Sequence, residues 1–233
     1  MKTAAKVVGW FVVAAAAAFL FIQLSYLARV WWMKGHNPEM TAFMERHLDR
    51  LRLKEPGARI SHAWVPYDRI SVHLKRAIVA SEDARFVEHE GFDWNAIEKA
   101  LERNRAKGRI VMGGSTISQQ LAKNLFLSGE RSPWRKGEEA LITVMIEYVM
   151  DKRRILELYL NVIEWGDGVF GAEAAARHYF STSALGLSAG QSARLAAMVP
   201  NPRYYDRNRS TPWLERKTRI ILARMPQAEL PQR

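Results

Sequence analysis

From Val7 to Ala28 the chain carries no Asp, Glu, Lys, Arg or His, only apolar side chains with Gly9, Gln23 and Ser25 among them. As an α-helix rising ~1.5 Å per residue this run spans roughly 33 Å, enough for a hydrocarbon core of ~30 Å. Trp10 lies near one end, and Tyr26, Trp31 and Trp32 lie near the other, where amphipathic rings settle at a membrane–water boundary. A cleaved signal peptide has an apolar region of about 7–15 residues ahead of a small-residue cleavage site. Here the run is longer, and no small-x-small site follows it before the aromatic residues. The expectation is an uncleaved transmembrane anchor over residues 1–28, a connector over 29–63, and one folded domain over 64–225. Local charge does not orient the anchor: Lys2 and Lys6 precede it, and Arg29 and Lys34 follow.

The chain has 233 residues, enough for one well-buried domain besides the anchor. It has no cysteine, so disulfides and thiolate chemistry drop out. The net charge is +11, and setting aside Lys2 and Lys6 leaves 33 basic against 24 acidic residues, a net +9. Such an excess suits nucleic acid or an anionic membrane surface. Beside a transmembrane anchor it favours the membrane, where each nearby Lys or Arg gains about 1 kcal/mol. No nucleic-acid partner is expected.

Hydrophobic spacing makes the domain mostly α. A helix is expected from about Glu39 to Leu53, stopped by Pro56-Gly57, then an extended lead-in from Trp64 to Ser71. Leu74, Ala77, Ile78 and Ser81 keep helical spacing and leave Glu82 at a helix C-terminus. Another helix runs from Trp94 to Arg105 and breaks at Gly108. Thr116-Ile-Ser-Gln119 follows two glycines and has the form of a capping box. In the helix it opens, Ile117, Leu121 and Leu125 form a core face, while Thr116, Gln120 and Lys123 share a polar one. A helical run follows from Glu139 to Met150, then a stripe of Ile155, Leu158, Tyr159, Val162 and Ile163. Strand-like alternation is scarce.

Four blocks stand out on this frame: Glu82-Asp-Ala-Arg-Phe-Val-Glu-His-Glu-Gly91, Gly113-Gly-Ser-Thr-Ile-Ser-Gln-Gln-Leu-Ala-Lys-Asn124, Arg135-Lys-Gly-Glu-Glu139, and Arg154-Ile-Leu-Glu-Leu-Tyr-Leu-Asn161. In this order and at these distances they resemble the family 51 glycosyltransferases, the polymerases of peptidoglycan glycan strands. The similarity runs from about Trp64 to Asp206 and is closest to the monofunctional biosynthetic peptidoglycan transglycosylases. It implies a lysozyme-like helical fold. It also implies a single-pass enzyme of the bacterial inner membrane, with a cytoplasmic tip and a periplasmic catalytic domain.

Joining a sugar hydroxyl to the anomeric carbon of a lipid-diphosphate sugar needs one base and charge neutralisation at the leaving group. The resemblance assigns Glu82 to deprotonating the 4-hydroxyl of the acceptor, lipid II, and matches Glu139 to the family's second functional glutamate. Glu139 orients a cation, polarises the donor, or simply pairs with Arg135. Lys123, Arg131 and Arg135, with Lys136 as a weaker candidate, are expected at the diphosphate, arginine as a planar fork and lysine as a point charge. Ser115, Thr116, Gln119, Gln120 and Asn124 supply uncharged hydrogen bonding for sugar and peptide amides. Asp83 is expected at the substrate. With Glu82 it could share a Mg2+ or Mn2+ ion bound to the diphosphate, but no complete set of protein ligands requires a metal. His89, Phe86 and Gly91 read as structural, and Glu157, Tyr159 and Asn161 as residues that hold helices together. Arg103, Arg105, Lys107 and Arg109 lead into Ile110-Val-Met112, a basic flank beside an apolar tip of the kind that dips into a membrane. Expected partners are lipid II, the growing lipid-linked strand, membrane lipids and other cell-wall synthesis proteins. No S-x-x-K occurs, so the acyl-serine chemistry of a transpeptidase has no nucleophile here.

Overall fold

The computed structural model describes residues 2–109, 111, 113–127 and 132–232, with side chains from Lys6 onward. Its first element, α1 (Lys2–Met33), contains the uncharged run. Residues 6–33 form a helix long and apolar enough to cross a membrane, and its most apolar 18-residue stretch has a mean hydropathy of 2.3. Along most of its length α1 is exposed, but one stripe near its C-terminal half turns inward. Gln23, Val30 and Met33 are buried there. Phe19 meets Trp134 edge-on at 6.3 Å, and Tyr26 meets Phe126 at 5.5 Å. The Arg29 guanidinium sits 5.0 Å over the Phe126 ring. Arg154 then donates from Nε and Nη2 to the Met33 carbonyl, at 3.0 and 2.8 Å, satisfying an oxygen that the helix end leaves open.

The helix expected at 39–53 is α2 (Ala42–Arg52), shortened because Thr41 caps it by accepting from the Met44 N–H. Met44, His47 and Leu48 face inward, so this part of the stretch expected as a connector packs on the domain. The lead-in from Trp64 is not wholly extended, since Tyr67–Arg69 form a 3-10 turn. Then come α3 (Val72–Glu82), α4 (Trp94–Lys107), α5 (Ile117–Phe126), α6 (Pro133–Val149) and α7 (Lys152–Val162). The chain closes with α8 (Ala172–Phe180), α9 (Ala189–Met198), α10 (Pro202–Arg207) and α11 (Pro212–Arg224).

Two helical groups meet. In one, α5 packs against α2, α6 and α7; in the other, α3, α9 and α11 pack together. The core face expected on α5 is present, with Ile117, Leu121 and Leu125 fully buried. A small sheet of order β1-β3-β2, built from β1 (Ser61–His62), β2 (Glu164–Gly166) and β3 (Val169–Phe170), closes one end. Strands of two and three residues are too short to leave an alternating signature, which is why the sequence pattern passes over them. The helix expected from Glu139 begins six residues earlier, where Ser132 caps it and Pro133 takes its first position, a site that needs no N–H.

Between α2 and the sheet lies an ionic cluster in which buried His47 and Glu164 meet half-buried Arg203 and exposed Arg50 and Asp167. Arg203 grips Glu164 through Nε at 2.5 Å and Nη2 at 3.0 Å, and His47 Nε2 lies 3.2 Å from Asp167. The three possible metal ligands here, His47, Glu164 and Asp167, already share two arginines, so the group is an ion-pair network. Burial, followed by the charges of Arg203 and Arg50, pushes the His47 imidazole down to about 4 despite the pull of Asp167. A histidine held below its unfolded value of 6.5 supports the fold while neutral, and that support is lost as pH falls from 6.5 toward 4. Thermal melts should therefore fall across that window in the wild-type chain, and His47→Gln should flatten the slope. An unchanged slope in the variant would remove His47 as its cause.

Candidate active site

Glu82 is the last residue of α3, as its spacing indicates. The chain turns sharply after it, and the turn is laced to the start of α5. The Ile117 N–H donates to Asp83 Oδ2 at 2.9 Å, and His89 Nε2 lies 2.9 Å from Asp83 Oδ1. The Gly91 N–H donates to His89 Nδ1, which fixes the imidazole from its other side. Thr116 Oγ1 donates to the Gly91 carbonyl at 2.7 Å. Gly91 has φ +91°, and a Cβ there would stand 2.9 Å from Thr143 Cγ2, so only glycine fits the turn. The capping box is complete: the Gln119 N–H donates to Thr116 Oγ1, and the Thr116 N–H donates to Gln119 Oε1. These bonds hold the end of α3 against the beginning of α5.

A cleft of about 320 Å³ opens at this junction, lined by Glu82, Ser115, Gln119, Gln120, Lys123, Arg135, Lys136, Glu139, Val199 and Pro200. Eight of the expected site residues therefore share one space. The Glu82 carboxylate accepts from Gln120 Nε2 at 3.0 Å and from Ser81 Oγ at 3.1 Å. The residue keeps some surface open to the cleft, yet burial dominates and pushes its pKa up. The bonds from Gln120 and Ser81 and the charge of Lys217 pull it back, while Asp83 adds a small upward push. Burial likewise lowers the Lys123 pKa, with Arg135 and Lys136 pushing the same way and Glu139 and Glu82 opposing.

Glu139 is buried, with Arg135 Nη1 at 2.9 Å from one oxygen and Lys136 Nζ on the other. Its carboxylate thus holds two cations at the cleft wall. Arg135 Nε is buried without a hydrogen-bond partner among the described residues, a donor that an anion in the cleft would satisfy. The cations Lys123, Arg135 and Lys136 outnumber the two carboxylates, Glu82 and Glu139, and Glu139 is already paired.

Three expected substrate contacts lie elsewhere. Asp83 spends both carboxylate oxygens on Ile117 and His89, so it anchors α5. Thr116 is buried in the capping box, and Asn124 is buried with Nδ2 donating to the Gln120 carbonyl at 2.8 Å. Arg131, Ile110 and Met112 lie outside the described residues. With Asp83 and Glu139 committed, Glu82 is the one cleft carboxylate with an outlook toward a metal. A Mg2+ or Mn2+ ion would take its remaining ligands from a substrate diphosphate.

A second hollow of about 240 Å³ shares Ser115, Gln119 and Lys136 with the cleft and adds Ile97, Ala100, Leu101, Asn104 and Gly114. Leu101 and Val111 are exposed beside it. Gly114 approaches α4 so closely that a Cβ would lie 3.1 Å from Ile97 Cα, so the missing side chain serves packing there.

Sequence reasoning missed Lys217 and the role of Tyr159. Lys217 comes from α11 and acts on Glu82 from outside all four blocks. Its signal was the spacing of Leu214, Lys217 and Ile221 on one helix face, with the two apolar residues buried. Tyr159 Oη donates to Gln120 Oε1 at 2.9 Å. Glu157 and Asn161 do hold the fold together: Glu157 accepts from the Tyr67 N–H, and Asn161 bonds both backbone groups of Val65.

Residues 49–226 match the model of a family described as Transglycosylase. The chain is 64% identical over 218 residues to the biosynthetic peptidoglycan transglycosylase of Chromobacterium violaceum, covering 94% of this chain and 96% of that protein. It is 58% identical over 231 residues to the protein of the same name from Herminiimonas arsenicoxydans, 99% of this chain and all of that one. A third, from Laribacter hongkongensis, is 63% identical over 220 residues, 94% of this chain and 96% of that protein.

Proposed function

Since the chain belongs to the transglycosylase family and is a peptidoglycan glycosyltransferase, we propose that it polymerises lipid II into β-1,4 glycan strands. Glu82 takes the proton from the acceptor's 4-hydroxyl as that oxygen attacks the anomeric carbon of the donor. The bond from that carbon to the diphosphate breaks on the opposite face, so the centre inverts and undecaprenyl diphosphate leaves. A carboxyl raised by burial is a stronger base than a solvated one, and the bonds from Gln120 and Ser81 help keep it ionised. Lys123, Arg135 and Lys136 neutralise the charge that grows on the leaving diphosphate, a role the family pattern extends to Arg131. Glu139 keeps Arg135 and Lys136 aimed at it. A divalent metal, if bound there, would add charge neutralisation through the phosphates and Glu82.

The observation that carries this reading is the cation-rich cleft around one open carboxylate, continuous with an apolar hollow. Cleavage of finished glycan needs a proton donor at a poor leaving group, and no diphosphate calls for three cations. A lipid diphosphate needs both halves of the cavity. The membrane assignment follows: α1 anchors the chain in the inner membrane, with the tip cytoplasmic and the catalytic domain periplasmic. Incubating the detergent-solubilised full chain with labelled lipid II tests the proposal. Long glycan is expected; shortening of added glycan, or no change in either substrate, would overturn it.

A further inference from the structure

We infer that Tyr159 is a positioning residue, whose hydroxyl fixes the Gln120 amide in the one orientation that donates to Glu82. The inference rests on Glu82 being the base. Tyr159 has no exposed surface and sits in the buried stripe of α7 between Ile155 and Val162. A phenylalanine would fill the same space. The hydroxyl is its sole polar group, and that group is spent on Gln120 Oε1, 2.9 Å away. On the far side of the same amide, Gln120 Nε2 meets Glu82 Oε2 at 3.0 Å.

The two ends of a glutamine amide have nearly the same shape, so packing alone does not choose between them. Turned over, the amide would point its oxygen at the Glu82 carboxylate, and the chosen orientation requires a donor at Oε1. Tyr159 is held by its buried ring, and burial pushes the phenol well above its ordinary range, so it keeps its O–H; with Gln120 Oε1 the acceptor at 2.9 Å, donation there satisfies both groups while Nε2 serves Glu82. The chain of bonds runs from α7 through α5 to the end of α3, joining the fourth, second and first sequence blocks. Residues 82, 120 and 159 are distant in sequence, so no local spacing announces the connection.

Other charged groups face Glu82 as well. Asp83 follows it in the chain, Lys123 comes from α5 and Lys217 from α11, while Arg135, Lys136 and Glu139 line the cleft from α6. Removing one buried oxygen at Tyr159 alters none of these charges. Its effect should pass through Gln120 alone: the bond that stabilises the Glu82 carboxylate weakens, and Glu82 becomes harder to ionise.

The test is a carboxyl titration in the full chain in detergent micelles with EDTA present, so that no divalent ion sits on Glu82, using 13C-carboxyl glutamate and the Glu82 resonance identified by its loss in Glu82→Gln. Tyr159→Phe should raise the Glu82 midpoint by about half a unit to one unit. Gln120→Ala should raise it at least as far, and adding Tyr159→Phe to Gln120→Ala should raise it no further. The acid limb of kcat/KM for lipid II should move up with the midpoint in Tyr159→Phe. An unmoved midpoint in Tyr159→Phe overturns the inference, as does a further rise in the double variant. Gln120→Ala poses the same question without disturbing the buried ring, and an unmoved midpoint there overturns the inference even where Tyr159→Phe fails to fold. A midpoint that rises while the acid limb stays put keeps the positioning role and rejects Glu82 as the base.

Discussion

Glu82→Gln should slow lipid II polymerisation at least about a hundredfold, or roughly 2.7 kcal/mol of barrier, while melting at a higher temperature than wild type at neutral pH. The amide keeps the size of the carboxylate and can still accept one bond from Ser81 or Gln120, so the junction of α3 and α5 stays closed. What it cannot do is accept a proton. The gain in stability follows from the same burial that serves catalysis. A carboxyl whose folded pKa is raised supports the fold fully below its unfolded value of 4.5, and that support is lost as pH rises through the folded value. Ionised Glu82 is thus a burden at neutral pH, and glutamine relieves it. The difference in melting temperature between the two proteins should shrink as pH falls toward 4. Turnover within about threefold of wild type would end the assignment of Glu82 as base, given the usual size of general-base effects. A lower melting temperature at pH 8 would instead show that the carboxylate is tied down better than its surroundings indicate.

Lys123→Ala should raise the barrier to glycosyl transfer by about 2–4 kcal/mol, the cost of losing a preorganised donor aimed at developing charge. Lys123 stands half-buried on the wall of the cleft, on the α5 helix that also carries Gln120. Burial and the neighbouring Arg135 and Lys136 make its positive charge costly in the empty site. A diphosphate relieves that cost, most of all when the bond breaks and a further negative charge appears on it. The loss should therefore fall on the chemical step more than on binding. Single-turnover polymerisation, with lipid II affinity measured separately, divides the two. Weaker binding with unchanged chemistry would make Lys123 a docking residue, and no change in either would take it out of the site. An enzyme acting on finished glycan would scarcely notice the substitution.

What the sequence discloses here is mostly what happens within a few residues. The Thr116–Gln119 box is a bond between neighbours three apart, and Glu82 ends a helix because the apolar spacing stops there. The buried face of α5 is a local period. Partners across the fold are another matter. Asp83 sits beside Glu82 in the same block and has the same chemistry, yet its oxygens turn to Ile117 and His89, while Glu82 faces the cleft. Asn124 sits one residue after Lys123 and turns inward to the Gln120 carbonyl. A motif states which residue types are present, and the backbone direction at each position decides what they touch. Lys217 illustrates the opposite gap: α11 brings it to Glu82 through packing against α3 and α9, far from any block. The small sheet escaped because strands of two and three residues have no period to detect.

About 21 Å of α1 lies between Phe19 and Met33, at ~1.5 Å per residue. Over that length it is bound to the domain by Trp134, Phe126 and Arg154. This makes the helix a mast stepped into the hull, not a mooring line. Trp134 immediately precedes Arg135 and Lys136 on α6, so these two cations of the cleft share a frame with α1. A flexible leash would let the catalytic cleft ride at any height above the lipid headgroups and in any compass direction. Here depth and bearing are set together when α1 seats. In the proposed reaction, the Glu82 carboxylate would then meet a lipid-borne diphosphate at one fixed elevation.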